Sequence, residues 1–266
     1  MPKYLFSDFD GTLRNHKNKN SLDIDPKDLE FIKDFQKDNK LVIATGRPYK
    51  QIKKYLIENY NLFADYFIVN TGAAVYDNND NVLYKMIIPT EIKNKIIGFL
   101  KTIQDQIEAL AFTTEYQEAF LFHKTITPEV KKFFLNIDVY QQDLNFLLDK
   151  DLLCFKIQTD QQTWDRIEDF LIKNNFKVNI TKNSIKNKLF NEIHAFDVSK
   201  GAAIKGLQNQ LNILDENIIV VGDDYNDLSM FKMYYQNSYI CKQEHNKQFR
   251  NKARYSIDFI SQIKYK

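Results

Sequence analysis

Cysteine, glycine, proline and tryptophan are all scarce in this chain: 266 residues include 2 Cys, 7 Gly, 5 Pro and 1 Trp. Cys154 and Cys241 are far apart and form no CxxC pair, which excludes a zinc ribbon and a dithiol redox motif and leaves both as reduced packing residues. The four histidines, His16, His123, His194 and His245, fall in separate segments without HxxxH or HExxH spacing. A histidine-based metal centre would need assembly over long range. No stretch approaches the ~20 apolar residues of a membrane span, and MPKYLFSDFD reaches an acidic pair before any apolar run of signal-peptide length. The expectation is a soluble, cytoplasmic protein. Neither charge sign is in excess, with 37 basic against 35 acidic residues, which argues against a nucleic-acid or membrane partner. The chain also lacks a long Gly/Pro/Ser linker, a repeat and a low-complexity tract. Its many Lys, Asn, Ile, Tyr and Phe residues read as composition bias.

Short apolar, β-favouring runs that end abruptly in polar residues are present instead. YLFSDFDGT (4–12), LVIATGRP (41–48) and IIVVGDDYND (218–227) share this design, and DYFIVNTGA (65–73) resembles them. Such runs read as buried parallel strands. DPKDLEFIKDFQKDN reads as a helix with Asp25 as N-cap, Pro26 at the first position and Leu29, Ile32 and Phe35 on one face. YKQIKKYLIENY is a second helix, with Ile52, Tyr55 and Leu56 aligned. The alternation predicts an α/β, doubly wound, Rossmann-like parallel-sheet core with right-handed crossovers.

Between about 85 and 191 the pattern changes. Helical stretches at PTEIKNKIIGFLKTI, TPEVKKFFLNI and QQTWDRIEDFLIKNN alternate with the strand-like EAFLFHK (118–124), LLCFKIQT (152–159) and FKVNIT (176–181). The expected organisation is a core of 1–84 and 192–266 interrupted by an α+β insert of 85–191, joined by short strands able to act as hinges.

In a doubly wound sheet ligands bind beyond the carboxyl ends of the strands, so Asp8, Asp10, Thr45, Asp223 and Asp224 should converge. If the first strand ran on through DFD, Asp8 and Asp10 would point to one face, their Cβ atoms about 6–7 Å apart, and would repel each other without a cation or proton. An EF-hand is excluded, because a loop starting at Asp8 would have Leu13 where glycine is needed and Lys19 where glutamate is needed. Two readings of DFDGT remain: an Asx-type turn, or a carboxylate pair in which one member ligates a hard cation and attacks phosphorus while the other shuttles a proton. The second needs compensating charge and donors. Thr45 and Gly46 offer a hydroxyl and a backbone N–H, although TGR alone also fits a plain β-to-α turn. Lys200 stands near the start of a helix, where the dipole disfavours a cation, although a lysine there is commonly a solvated surface residue. GDDYND adds Asp223, Asp224, Asn226 and Asp227.

The ordered set DFDGT, ATGR, NTGA (70–73), SKGAAI and GDDYNDLSMF resembles the haloacid dehalogenase superfamily of phosphatases, and within it the Cof-type sugar-phosphatase group of subclass IIB with a large C2 cap. The resemblance spans the whole chain. It implies that Asp8 is the nucleophile forming an aspartyl-phosphate and Asp10 the general acid and base. Thr45, Gly46, Lys200 and Asn226 would hold the phosphoryl group. Mg²⁺ would be bound by the Asp8 carboxylate, the Asp10 backbone carbonyl and Asp223, supported by Thr12, Arg47 and Asp227. The implied partner is a small phosphorylated metabolite, with a phosphosugar mutase or a noncatalytic binding protein as the alternatives. Asp224 gains no role. The chain departs from the group where ICKQEHN replaces a small-residue run near "MGNA" and where YSIDFIS replaces an acidic-Asp-Gly turn.

Other residues keep two readings. Arg47 reaches the phosphate or braces the cap, or else pairs with a core acid. His123 and Lys124 face substrate or end a solvated strand. Tyr116, Phe120 and Phe122 read first as core packing, and KQFRNKAR (247–254) as a solvated helix face.

Overall fold

The computed structural model describes residues 1–15, 23–114, 118–121, 139–141, 143–185 and 188–265. The chain opens with β1 (Tyr4–Ser7), α1 (Pro26–Phe35), β2 (Lys40–Ala44), α2 (Tyr49–Tyr60), β3 (Tyr66–Val69), β4 (Ala74–Asp77) and β5 (Val82–Lys85). It continues with α3 (Thr90–Thr102), β6 (Ala109–Thr113), β7 (Glu118–Leu121), β8 (Val139–Gln141), β9 (Cys154–Thr159), α4 (Gln161–Lys173), β10 (Val178–Thr181), β11 (Ser184–Ile185) and β12 (Lys188–Ala195). It closes with α5 (Lys200–Leu211), β13 (Ile218–Gly222), α6 (Leu228–Met233), β14 (Ser238–Cys241) and β15 (Tyr255–Ile257). Two compact units result, one of Met1–Tyr84 with Ser199–Lys266 and one of Lys85–Val198.

The first unit is built on an eight-stranded sheet in the order β15-β14-β13-β1-β2-β3-β4-β5. The strands from β15 to β3 are parallel to their neighbours, and β4 runs antiparallel to β3. Phe6, Val42, Ala44, Ile68 and Val220 pack on one face against Ala203, Ile204 and Leu207 of α5 and Met230 and Phe231 of α6. Leu5, Leu41, Ile43 and Phe67 alternate with them and are also buried. Both faces being covered is what makes these strands read as unbroken apolar runs. In α1 the Asp25 carboxylate caps Lys27 N at 2.9 Å, with Pro26 at the first position. Its buried residues differ in part from the expected stripe. Ile32 and Phe35 are buried as the period requires, but Asp28 is buried where Leu29 is only half-buried. The reason is local: Asp28 Oδ1 accepts from Ser261 N at 2.8 Å, so a polar side chain is drawn inward.

The second unit holds a seven-stranded, mainly antiparallel sheet with the path β10-β12-β9-β6-β7-β8, and β11 pairs with β12. Its core joins Ile97 and Leu100 of α3, Trp164 and Ile167 of α4, and Phe112, Phe155 and Ile193 from the strands. The insert was expected to end at 191, but β12 pairs with β9 from Leu189↔Thr159 to His194↔Cys154 and with β10 as far as Ala195↔Val178. A strand bonded on both sides cannot be divided, so this unit runs on to Val198. The expected helix TPEVKKFFLNI, and Tyr116, Phe122, His123 and Lys124, lie outside the described residues, and of Phe120 only the strand is described. Cys154 and Cys241 are both buried and are not joined in a disulfide. Among the described residues no helix is long and apolar enough to cross a membrane.

Candidate active site

From β1 the chain passes to β2 and β3 on one side, whereas β13, β14 and β15 extend on the other. The order therefore reverses between β1 and β13, where an open α/β sheet leaves a crevice for ligands. β1 ends at Ser7 and β13 at Gly222, so Asp8 and Asp223 are the first residues past the two strands flanking that reversal. Asp8 N still donates to Val221 O at 2.9 Å, which fixes its position.

Lys200 is the first residue of α5, after Ser199, whose Oγ caps Ala202 N at 3.1 Å. Its ammonium has no solvent exposure and donates to Asp8 Oδ1 at 2.6 Å and to Asp227 Oδ1 at 2.7 Å. A cation at a helix start is disfavoured by the dipole, and here two carboxylates offset that cost. Asp227 in turn accepts from the backbone N–H groups of Asp223 and Asp224 through Oδ2, at 2.8 and 3.0 Å. Thr12 Oγ1 donates to Asp223 Oδ1 at 2.9 Å. Asp8, Asp223 and Asp227 thus bring carboxylate oxygens within 4.8 Å of one another. Burial pushes the Asp8 carboxyl well above its usual range, with Lys200 opposing and Asp227 and Asp223 adding to the rise. Burial likewise pushes Asp223 up to about 6, with Asp227 and Asp224 adding and His245 and Thr12 opposing. Against the cost of its burial, Asp227 and Asp8 hold Lys200 charged.

Asp10 has other partners, although β1 ends only one residue before Asp8. Arg47 grips Asp10 with Nε on Oδ2 at 2.6 Å and Nη2 on Oδ1 at 2.9 Å, and Arg14 Nη1 reaches Oδ1 at 3.3 Å. Desolvation would raise this carboxyl, but the two guanidiniums outweigh it and hold Asp10 below its ordinary value. The like charges that raise Asp8 are Asp227 and Asp223 from the distant GDDYND segment. Of the two readings of Arg47, the pairing with a core acid is the one observed. Gly11, the residue after Asp10, lets the chain pass close against Asp223. Its φ is +88°, and a Cβ there would stand 2.2 Å from Asp223 Oδ2.

Thr45 is buried beyond β2; its N–H donates to Ile68 O, and its hydroxyl accepts from Arg47 N at 3.2 Å. Gly46 follows it, half-buried. Asn226 is half-buried, with its carbonyl accepting from Ser229 Oγ at 3.4 Å.

Sequence reasoning missed the contribution of KQEHN. Asn246 is fully buried and donates to Asp223 O and Cys241 O, both at 2.8 Å. Gln243 Nε2 donates to Gly11 O at 2.5 Å. His245 Nε2 lies 3.3 Å from Asp223 Oδ2, and that contact raises the imidazole's basicity. The available signal was the departure itself, since a polar run stands where small residues were expected. KQFRNKAR belongs to an irregular 3₁₀ segment, Glu244–Lys252, in which Phe249 is buried and Arg250 donates to Asn246 Oδ1 and Gln243 O.

The geometry of DFDGT, Lys200 and GDDYND can now be set beside known proteins. A family model described as haloacid dehalogenase-like hydrolase matches residues 5–258. An uncharacterized protein of Mycoplasma capricolum subsp. capricolum is 61% identical over 265 residues, covering 100% of both chains. Among solved structures, TM0651 from Thermotoga maritima superposes with a TM-score of 0.75 at 22% identity, covering 96% of this chain and 92% of its own. The subclass IIB sugar phosphatase BT4131 gives 0.76 at 23% identity, covering 97% and 96%. A match over nearly the whole length, on a sheet whose switch point carries these aspartates and this lysine, makes the chain an enzyme of the haloacid dehalogenase-like hydrolase family.

Proposed function

We propose that this enzyme is a Mg²⁺-dependent phosphomonoester hydrolase of the cytoplasm, acting on small phosphorylated metabolites, with sugar phosphates favoured, through an aspartyl-phosphate. The observation that carries the reading is the buried Lys200 ammonium joining Asp8 to Asp227 beside Asp223. Asp8 Oδ1 is held by Lys200, which orients the carboxylate so that its other oxygen attacks phosphorus. Asp10, 42% exposed, is the acid for the leaving oxygen, and to carry that proton it must be released by substrate from the Arg47 and Arg14 guanidiniums that hold it ionised here. Asp10 then accepts a proton from the water that attacks the aspartyl-phosphate, releasing inorganic phosphate and restoring Asp8. Lys200, the Thr45 hydroxyl, the Gly46 N–H and Asn226 hold the phosphoryl oxygens, which carry negative charge throughout.

The donor set fits a divalent cation. Lys200 bridges Asp8 and Asp227 and leaves the third buried carboxylate, Asp223, outside its ammonium, and both oxygens of Asp227 are already occupied. Asp8, the Asp10 carbonyl and Asp223 would hold the ion, with Thr12 orienting Asp223. Bound there, it lets a phosphate dianion approach a carboxylate. Substrate selection is proposed for the unit Lys85–Val198, as the cap.

The test is phosphate release from a panel of sugar phosphates and other phosphorylated metabolites, with Mg²⁺ or EDTA. Release by the wild type, lost in EDTA and in Asp8→Asn, is expected. A wild type that binds the cation and turns over no compound would overturn the hydrolase reading.

A further inference from the structure

His245 reaches the site from outside the DFDGT, TGR and GDDYND segments and has no part in the proposed reaction. His245 projects from the segment Glu244–Lys252 and is half exposed, with Nε2 3.3 Å from Asp223 Oδ2 and 3.9 Å from Asp224 Oδ1. Its position is set by the residue that follows it. Asn246 is tied to Asp223 O and Cys241 O through its amide, while its own Oδ1 accepts from Gln243 N and Arg250 Nε, both at 3.0 Å. The backbone beside His245 is thereby fastened to the backbone of Asp223.

The two side chains share a hydrogen bond here, and their spacing is also that of neighbouring ligands on one ion, whose arrival would displace the shared proton. Two donors each about 2.1 Å from a metal stand about 3.0 Å apart at an octahedral angle and about 3.4 Å apart at a tetrahedral one. The observed 3.3 Å lies within that interval. The nearby carboxylates are more committed, since Asp8 Oδ1 and Asp227 Oδ1 hold Lys200 and Asp227 Oδ2 holds two backbone amides. Oxygen-only sites suit Mg²⁺, whereas an imidazole nitrogen shifts preference toward first-row transition cations.

We propose that His245 supplies a nitrogen ligand to the cation held at Asp223, so that the site binds Mn²⁺ more tightly while still taking the Mg²⁺ of the proposed reaction. The inference rests on the reading of Asp8 and Asp223 as a cation site. It also gives the polar KQEHN run a chemical purpose: it carries a ligand and the asparagine that positions it.

Mn²⁺ alone is the probe, added to tag-free wild type and to the His245→Ala and His245→Gln variants. Electron paramagnetic resonance counts the bound ion, and spin-echo modulation reads any ¹⁴N nucleus attached to it. The expected result is ¹⁴N modulation in the wild type and none in either variant. Mn²⁺ affinity should weaken by about tenfold or more, while Mg²⁺ affinity, read by competition, moves by less than about threefold. Bound Mn²⁺ without ¹⁴N modulation in the wild type would overturn the ligation and leave the cation site standing, with His245 only a hydrogen-bond partner of Asp223. A wild type that binds no Mn²⁺ would overturn both. Because the deciding spectrum is that of the wild type, a poorly folded variant does not blunt the test.

Discussion

Asp8 and Asp10 are two residues apart and sit in opposite surroundings. Asp8 lies in a buried cluster of three carboxylates in which one lysine bridges Asp8 and Asp227, whereas Asp10 is partly exposed and held by two arginines. Burial lifts the first above its ordinary proton affinity, and the guanidiniums lower the second. Each setting is made by side chains from other positions: Lys200 bonds Asp8, and Arg47 and Arg14 bond Asp10. The difference teaches that spacing in sequence sets neither field nor role once the strand has ended. What sets them is which distant side chains arrive.

The largest effect should come from breaking the buried side. Lys200→Met leaves Asp8 and Asp227 without their shared cation and should cost about 3–5 kcal/mol in urea unfolding, with turnover abolished. Adding Asp227→Asn should restore part of that stability and none of the activity. If Lys200→Met unfolded like the wild type, the cluster would not be a coupled unit.

A second test uses pH on the cation-free protein. Asp223 titrates near 6 when folded, against 3.8 as an unperturbed carboxyl. Between those values the folded state holds more protons than the unfolded one, so stability from this group falls as pH rises from about 4 to 6, by at most about 3 kcal/mol. Urea midpoints in chelator for wild type and Asp223→Asn should therefore differ in slope across that window. Parallel profiles would contradict the buried, charge-crowded setting of Asp223. On the exposed side, Asp10 is lowered, so its contribution is complete above the unfolded value and fades only as pH falls below it.

Third in size is Gly11→Ala. The new methyl would meet the Asp223 carboxylate at a φ that L-residues avoid, and we expect about 1–3 kcal/mol of lost stability. Cation affinity, measured by calorimetry, should fall with it. An unchanged affinity would mean that Asp223 moves without consequence.

Asp10→Asn should have the smallest structural effect and the most selective chemical one. A partly exposed ion pair contributes under about 1 kcal/mol, so unfolding should barely change. With an activated aryl phosphate the variant should still release a burst of aryl alcohol, near one per site, and then turn over slowly, because the base for the attacking water is weakened. Equal loss of burst and turnover in rapid-mixing traces would remove the distinction between the two aspartates.

Much of the first unit was legible in the sequence because its strands are buried on both faces. YLFS, KLVIA and IIVVG read as apolar runs, and the residue after each run stands at the strand's carboxyl end. Lys200 was legible only through the family resemblance, since a lysine at a helix start reads by itself as solvated and its burial depends on two acids from other segments. β6 was missed because ALAFT carries two alanines and little β-branching. β12 was cut at its middle because its polar residues, Asn191, Glu192 and His194, hide a strand whose burial comes from its neighbours. His245 and Asn246 were missed for a related reason: their meaning lies in contacts with Asp223, a residue 22 and 23 positions upstream.

The place of β1 between β2 and β13 also has a consequence for synthesis. β2 follows within the first half of the chain, but the partner on the other edge of β1, Ile218–Gly222, emerges only after the whole of Lys85–Val198 has been made. At about 5–20 residues per second that delay is on the order of ten seconds. Throughout it the nascent chain carries an apolar strand with one open edge, a surface that invites wrong pairing. The inserted unit has its own hydrophobic cluster and can fold meanwhile. Asp8, made among the first residues, meets Lys200 and Asp227 only when the last quarter of the chain arrives. Ribosome-bound chains halted before residue 218 should therefore be readily cleaved by protease around β1, and chains released at full length should resist.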